Sequence, residues 1–286
     1  MLGALVCVSS RTRVNHGLNV VNRKLSASAL SAFLKSPKGY YWGHVARLEP
    51  IQPSVGTYDH DKLCGILWAE FVDRFYNGVP ESANLTRTLT DWNDQTDGWV
   101  PPKIKENLTN ALTAWGSQYY QNFNPMDGCR TPEQSEMFVE NDRFVGYLDG
   151  LSEDRIIHEV KSTSRAPQLS EQMWKVEHSI QVRLYAVLAN ANGYRIEFAW
   201  KNQPHQIFRG PVTIVTAEQR HQWEMELNAL ADSIYALGDD PSHFPCNPDS
   251  CCLVTRGTVS MCPYQTLCDL GINDATKIGF KPRHHR

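Results

Sequence analysis

Residues 146 to 161 read Gly-Tyr-Leu-Asp-Gly-Leu-Ser-Glu-Asp-Arg-Ile-Ile-His-Glu-Val-Lys. The order suits two short strands joined by a polar turn. Ser152, Glu153, Asp154 and Arg155 supply the turn, and Ile156 to Lys161 is a β-favouring run. Asp149 falls in the first strand; Glu159 and Lys161 fall in the second. Side chains alternate along a strand, so Glu159 and Lys161 share a face while His158 and Val160 take the other. A three-residue turn from Ser152 to Asp154 predicts Asp149 opposite Ile157 and diagonal to Glu159, on that same face. A slip of one residue would spoil the arrangement. Two carboxylates and an ammonium on one face suit a divalent metal and a phosphate. The bland alternative is an exposed ion pair crossing a sheet.

The rest of the chain bounds the setting. At 286 residues it is long enough for a large domain, or for a core with appendages. Apolar content of 41% and charged content of 21% are those of an ordinary soluble globular protein. No apolar run is long enough to span a bilayer, which argues against an integral membrane protein. The net charge of −3 points to no partner, but its distribution is uneven. No Asp or Glu precedes Glu49, whereas Arg11, Arg13, Arg23, Lys24, Lys35, Lys38 and Arg47 all do. A basic end of this kind could follow a nucleic-acid backbone. For residues 1–22 a solvated terminus is the preferred reading. Leu2 to Val8 is apolar, but no basic residue precedes it and it is short for a secretory signal. A transit peptide is a minor alternative, and a cytoplasmic location in a bacterium or a phage-infected host is expected.

Periodicity predicts helices over Leu25–Phe33 with Ser26 as cap, Asp61–Tyr76, Pro102–Phe123, Leu169–Asn190 and Ala217–Leu237. Strands are predicted at Ser135–Val139, in the hairpin, at Tyr194–Trp200 and at Pro211–Val215. Residues 49–57 and 124–132 read as loops, and the polar stretch 77–100 as an irregular insertion. The order gives an α/β fold with a mixed sheet and a helical N-terminal part. Four regions follow: a basic extension (1–24), a helical part (25–132), a core (133–238) and a Cys-rich end (239–286). Five of the eight cysteines lie between Cys246 and Cys268. Such clustering, without a signal peptide, favours metal or cluster ligation over disulfides.

Asp149 with Glu159-Val160-Lys161 forms an Asp…Glu-x-Lys pattern on adjacent strands, and here the chain resembles the PD-(D/E)xK nuclease superfamily. Further features are similar to its RecB-like branch: Gly146-Tyr-Leu-Asp149, Gln181-Val-Arg-Leu-Tyr185, Gly56-Thr-Tyr-Asp-His60, and the segment from Leu30 to Trp42 ending in Pro-x-x-Tyr-Tyr. They occur in the family's order over residues 26 to about 190. The resemblance implies a restriction-endonuclease-like mixed sheet flanked by helices. It implies Mg²⁺ or Mn²⁺ bound by Asp149, Glu159, the Val160 carbonyl and His60. Carboxylate oxygens suit Mg²⁺, and imidazole extends the site to Mn²⁺. Lys161 would orient or deprotonate the attacking water, or stabilise the phosphoryl oxygens. Gln181 and Tyr185, four apart on a helix, share one face. Gln181 could bind a phosphate oxygen or a metal-bound water, and Tyr185 could order Lys161 or be a core residue. Glu136 is the preferred extra acidic residue and Glu140 the runner-up.

The implied activity is a metal-dependent DNA exonuclease or end-processing nuclease, in recombination, repair or phage DNA metabolism. A non-catalytic nucleic-acid-binding module and a restriction-type endonuclease are the alternatives. No Walker-type P-loop is present, so unwinding would need a helicase partner, and a single-strand annealing partner is also conceivable. Tyr40, Tyr41 and Trp42 could stack bases or simply pack. RecB-like nucleases often carry a [4Fe–4S] cluster. Cys262-Pro-Tyr-Gln-Thr-Leu-Cys268 is similar to the family's closing C-x₅-C, but Ser36 stands where the N-terminal ligand would be. Three readings stay open, in order of preference: no metal, a local Zn²⁺ site from Cys246, Cys252, Cys262 and Cys268, or an Fe–S cluster. Oligomeric state is left open.

Overall fold

The structure is a computed structural model, which describes residues 23–50, 59–98, 100–122, 132–163, 175–176, 178–246, 252–255, 258–261, 264, 267 and 280–282. Its centre is a six-stranded mixed sheet. Strands β2 (Pro132–Glu140), β3 (Val145–Ser152) and β4 (Ile156–Thr163) run antiparallel in succession. Strand β5 (Gly193–Trp200) lies parallel to β4, with β6 (Ile207–Arg209) and β7 (Thr213–Ile214) antiparallel along its other edge. Outside this sheet, β1 (Leu48–Pro50) pairs with β10 (Phe280–Pro282), and β8 (Cys252–Thr255) with β9 (Thr258–Met261).

The hairpin forms with its turn one residue later than the spacing predicts. Glu153, Asp154 and Arg155 connect β3 to β4, and Ser152 Oγ accepts a bond from Ile156 N at 3.2 Å. Arg155 takes the left-handed φ of 61°, and its guanidinium is held by the carbonyls of Ala189 and Asn190. Gly150 pairs with His158 and Leu151 with Ile157, so Asp149 is not opposite Ile157. The ladder is displaced by two residues from the expected register. An even displacement leaves every side chain on its expected face.

Helices cover both faces. Helices α1 (Ala27–Lys35), α6 (Ile180–Leu188) and α7 (Ala217–Ala236) bury Leu30, Val182, Leu184, Leu227 and Ile234 in one core with Leu148, Ile157, Ile196 and Phe198 of the sheet. On the other face, α3 (Asp59–Tyr76), α4 (Glu81–Thr96) and α5 (Pro102–Asn122) form a second core around Trp68, Phe71, Trp92, Trp115 and Tyr119, closed by Ala199. The short helix α2 (Pro37–Tyr40) continues into a π-turn over Tyr41–Val45. The Ser26 cap of α1 is as expected, its Oγ accepting from Ala29 N at 3.3 Å.

Two expectations are corrected. The polar stretch 77–100 contains helix α4. Its buried stripe is Asn84, Thr88, Trp92 and Thr96, a run at i, i+4 spacing that is largely polar. Arg74 explains it: Nε donates to Asn84 Oδ1 at 2.7 Å and Nη2 to Thr88 Oγ1 at 2.6 Å, while Asn84 Nδ2 donates to the Phe71 carbonyl at 2.9 Å. These hydrogen bonds to α3 add to the apolar packing of Leu85, Leu89 and Trp92 on the second core. The helix expected over Leu169–Asn190 is broken: Ser179 is extended, and its Oγ caps a new helix by accepting from Val182 N at 3.3 Å. Residues 164–174 lie outside the described residues. Trp42 and Tyr40 are buried and Tyr41 packs on Phe244 at 5.1 Å, so this trio packs rather than stacks bases.

Asn84→Ala strips the partner from a buried guanidinium and should cost about 2–3 kcal/mol in urea unfolding. Truncation of exposed Asn93 on the same helix should cost less than about 0.5 kcal/mol.

Candidate active site

Strand β4 divides its side chains as alternation requires. His158 and Val160 face the α3–α5 layer, where the His158 ring meets Tyr76 edge-on at 6.4 Å and Val160 packs on the second core. Glu159 and Lys161 face α6. The Lys161 ammonium forms an ion pair with Glu159 Oε1 and donates to Gln181 Oε1 at 3.0 Å. Gln181 Nε2 donates in turn to Tyr185 Oη at 3.3 Å. Where β3 and β4 pass beyond their last paired residues, Val160 N donates to Asp149 Oδ2 at 2.8 Å. A side chain thus replaces a carbonyl as the ladder acceptor and ties Asp149 to the Glu-Val-Lys segment.

The electrostatics are those of charges removed from water. Glu159 is 1% exposed, and its Oε2 has no hydrogen-bond donor among the described residues. Burial, then the nearby Asp149, push its carboxyl up to about 7 against the pull of Lys161. Burial raises Asp149 too, while Lys161 and the Val160 N–H oppose the rise. Burial alone would depress Lys161, but Glu159 and Asp149 outweigh it and hold the ammonium above its ordinary value. Tyr185 is raised by burial and by Glu159. A buried carboxylate oxygen with no donor, close to a second carboxylate, is the environment a hard divalent cation relieves. Asp149 and Glu159 therefore fit such an ion. Among the described residues, no three His, Cys, Asp or Glu side chains are grouped closely enough to hold one by themselves.

The remaining candidates divide. His60 is buried at the start of α3 but does not complete a three-ligand group with Asp149 and Glu159. That helix meets β4 on the opposite face from Glu159 and Lys161: a Cβ on Gly65 would lie 2.9 Å from Ser162 Oγ. Glu136 lies on β2 between the pairs Ser135–Gly150 and Met137–Leu148, which puts its position opposite Asp149. Glu140 sits at the far end of that strand, opposite Val145, and pairs with Lys24 at 2.7 Å. Gly56, Thr57, Cys262 and Cys268 lie outside the described residues, as does the Cys252 side chain; Cys246 is exposed. Ser36 has a local role: its Oγ accepts from Gly39 N at 3.1 Å and caps α2.

Residues 24–269 match the family described as the PD-(D/E)XK nuclease superfamily. The chain belongs to that superfamily. Among solved structures it is similar to a protein from Eubacterium rectale that carries the provisional name of exonuclease, with 13% identity and a TM-score of 0.48, over 93% of this chain and 100% of that one. No curated protein matches. Two glycines beside the Glu-Val-Lys strand have steric reasons. A Cβ on Gly146 would lie 2.6 Å from Tyr185 Cε1, so the bare backbone there makes room for the ring. Gly65 does the same for Ser162. Sequence reasoning missed both contacts, although a glycine inside a helix is itself a sign of close approach.

Two outcomes follow. A carboxyl raised from 4.5 to about 7 gives stability that is full below about pH 4.5 and lost as pH rises through about 7. Melted without divalent cations at pH 8, Glu159→Gln should be several degrees more stable than the parent, the gain closing towards pH 5. Gly146→Ala should lower stability by about 1–3 kcal/mol by displacing the Tyr185 ring, and Tyr185→Ala should recover part of that loss in the double variant.

Proposed function

We propose that the chain is a divalent-metal-dependent nuclease that hydrolyses phosphodiester bonds at DNA ends, an exonuclease or end-processing enzyme of the RecB-like branch. The observation that carries the reading is the buried Glu159 carboxylate, one oxygen of it without a donor among the described residues, beside an ammonium held by both Glu159 and Gln181. Mg²⁺ or Mn²⁺ at Asp149, Glu159 and the Val160 carbonyl, with His60 as a further ligand, would supply Lewis acidity and a water of lowered pKa. The chain's own groups do the rest. The Val160 N–H fixes Asp149. Glu159 and Gln181 fix Lys161, whose third proton is left to hold the attacking water or a phosphoryl oxygen. Tyr185 fixes Gln181 and closes the site on the α6 side. Recombination, repair or phage DNA metabolism is the setting proposed, with duplex unwinding supplied by a helicase partner.

Linear, nicked and circular DNA with Mg²⁺ or Mn²⁺ test this directly. Nucleotide release from linear DNA alone is expected. Discrete bands from circles would show an endonuclease instead, and binding without cleavage, unaffected by Lys161→Ala, a binding module. Lys161→Ala should lower hydrolysis by about 100-fold or more, and Gln181→Ala by about tenfold, since Glu159 still holds the ammonium.

A further inference from the structure

The β3–β4 turn is tied to the end of helix α6, at the opposite end of β4 from Lys161. Arg155 Nε donates to the Asn190 carbonyl at 3.0 Å, and its Nη2 donates to the Ala189 carbonyl. The Arg155 carbonyl accepts from Asn192 N at 2.9 Å, and Asn192 Nδ2 donates to the Asp154 carbonyl at 3.0 Å. Helix α6 runs back along the sheet between the parallel strands β4 and β5. Its last turn therefore lies beside the start of β4, and its first turn beside Lys161, where Gln181 meets the ammonium.

Two features give this arginine more than the role of a turn residue. Its φ of 61° is a left-handed conformation that Gly or Asn adopts with less strain. A turn alone would be better served by those residues, so the side chain is what the position uses. The guanidinium also sits at the negative end of α6, on carbonyls that a helix end leaves without intrahelical donors. Apolar contacts set how far α6 stands from the sheet but are non-directional, whereas these bonds fix the helix along its own axis. A displacement at Ala189 is carried along the helix to Gln181, about 12 Å away at the rise of an α-helix. Little slack exists there. Gln181 Oε1 accepts from Lys161 Nζ at 3.0 Å, and the Tyr185 ring on the same helix already comes within 2.6 Å of where Gly146 would carry a Cβ. We propose that Arg155 is a positioning residue for the nuclease: by fixing α6 along its axis, it sets the Gln181–Lys161 bond and so the direction of the ammonium proton left for the substrate. The catalytic role rests on the nuclease reading; the placement of Lys161 does not.

Competitive acetylation of the metal-free protein, read lysine by lysine by mass spectrometry, tests it. Exposed Lys35 is the reference, and Lys201, buried against α3, reports general loosening. Arg155→Gln should raise Lys161 acetylation about three- to tenfold, as Gln181→Ala does, the worth of one hydrogen bond to a charged group. The double variant should go no further than Gln181→Ala alone. Arg155→Lys, which keeps a cation at the helix end, should recover part of the parent's protection. Arg155→Gly, freed of the left-handed strain, should melt within about 4 °C of the parent yet acetylate like Arg155→Gln. In Mg²⁺, Arg155→Gln should lower kcat on linear DNA about three- to tenfold with KM unchanged. Positioning is overturned by unchanged Lys161 acetylation in both Arg155→Gln and Arg155→Gly, by effects that multiply in the double variant, or by an equal rise at Lys201. No cleavage by the parent would sink the nuclease reading instead, while the acetylation arm would still decide what places Lys161.

Discussion

The ion pair between Glu159 and Lys161 constrains everything around it. A carboxylate buried to this degree, with one oxygen lacking a donor among the described residues, destabilises the fold unless charge is brought to it. The sheet brings Lys161 from two residues along the same strand and Asp149 from the neighbouring one. Helix α6 brings Gln181, and through it Tyr185. Each partner reaches the site because a larger element is anchored elsewhere: α6 by its Ser179 cap and apolar core, and β4 by eight parallel pairs with β5. Rigid elements, rather than loops, therefore hold the acidic and basic groups in mutual reach.

The first core and the second are built differently, and the difference bears on the site. The core under α1, α6 and α7 is mainly aliphatic and sets the depth of Glu159. The core under α3, α4 and α5 is rich in aromatic rings and crossed by buried polar networks. One joins Tyr119 Oη to Glu197 Oε2 at 2.8 Å and Arg209 Nε to Glu197 Oε1 at 2.7 Å. Lys201 Nζ donates to the Asp61 carbonyl at 2.9 Å and so fastens the start of α3 to the end of β5. His60 is the residue just before that fastening. Its position is set by the second core, while those of Glu159 and Lys161 are set by the first.

The fold was legible where physical periodicity is strong. The hairpin, the helices with apolar stripes and strand β5 could be read from residue type alone. So could the pairing of Lys161 with a carboxylate, because strand alternation leaves no other neighbour at that spacing. Helix α4 was not legible, since its short apolar run of Leu85, Leu89 and Trp92 is outnumbered by polar residues, several of them buried. The register was misjudged by two residues because the turn uses Arg155 at positive φ, a conformation that bulky side chains seldom signal. Glu136 could be ranked above Glu140 only by guess; its place opposite Asp149 comes from a ladder with long-range pairing. The chain also joins distant parts in a way no local pattern announces. Tyr264 Oη donates to the Leu48 carbonyl at 3.0 Å, and a Cβ on Gly43 would come within 2.8 Å of that oxygen. Thus Tyr264 is tied to Leu48 and Gly43 near the start of the chain.

The contact of Gly146 with Tyr185 has a consequence for descent. A methyl at 146 collides with the ring, and loss of the ring opens a void beside a buried carboxylate. Neither position can drift alone without a penalty, so lineages carrying this site should exchange both together or keep both. A pair far apart in the chain becomes one heritable unit, and natural variation at one residue should forecast variation at the other.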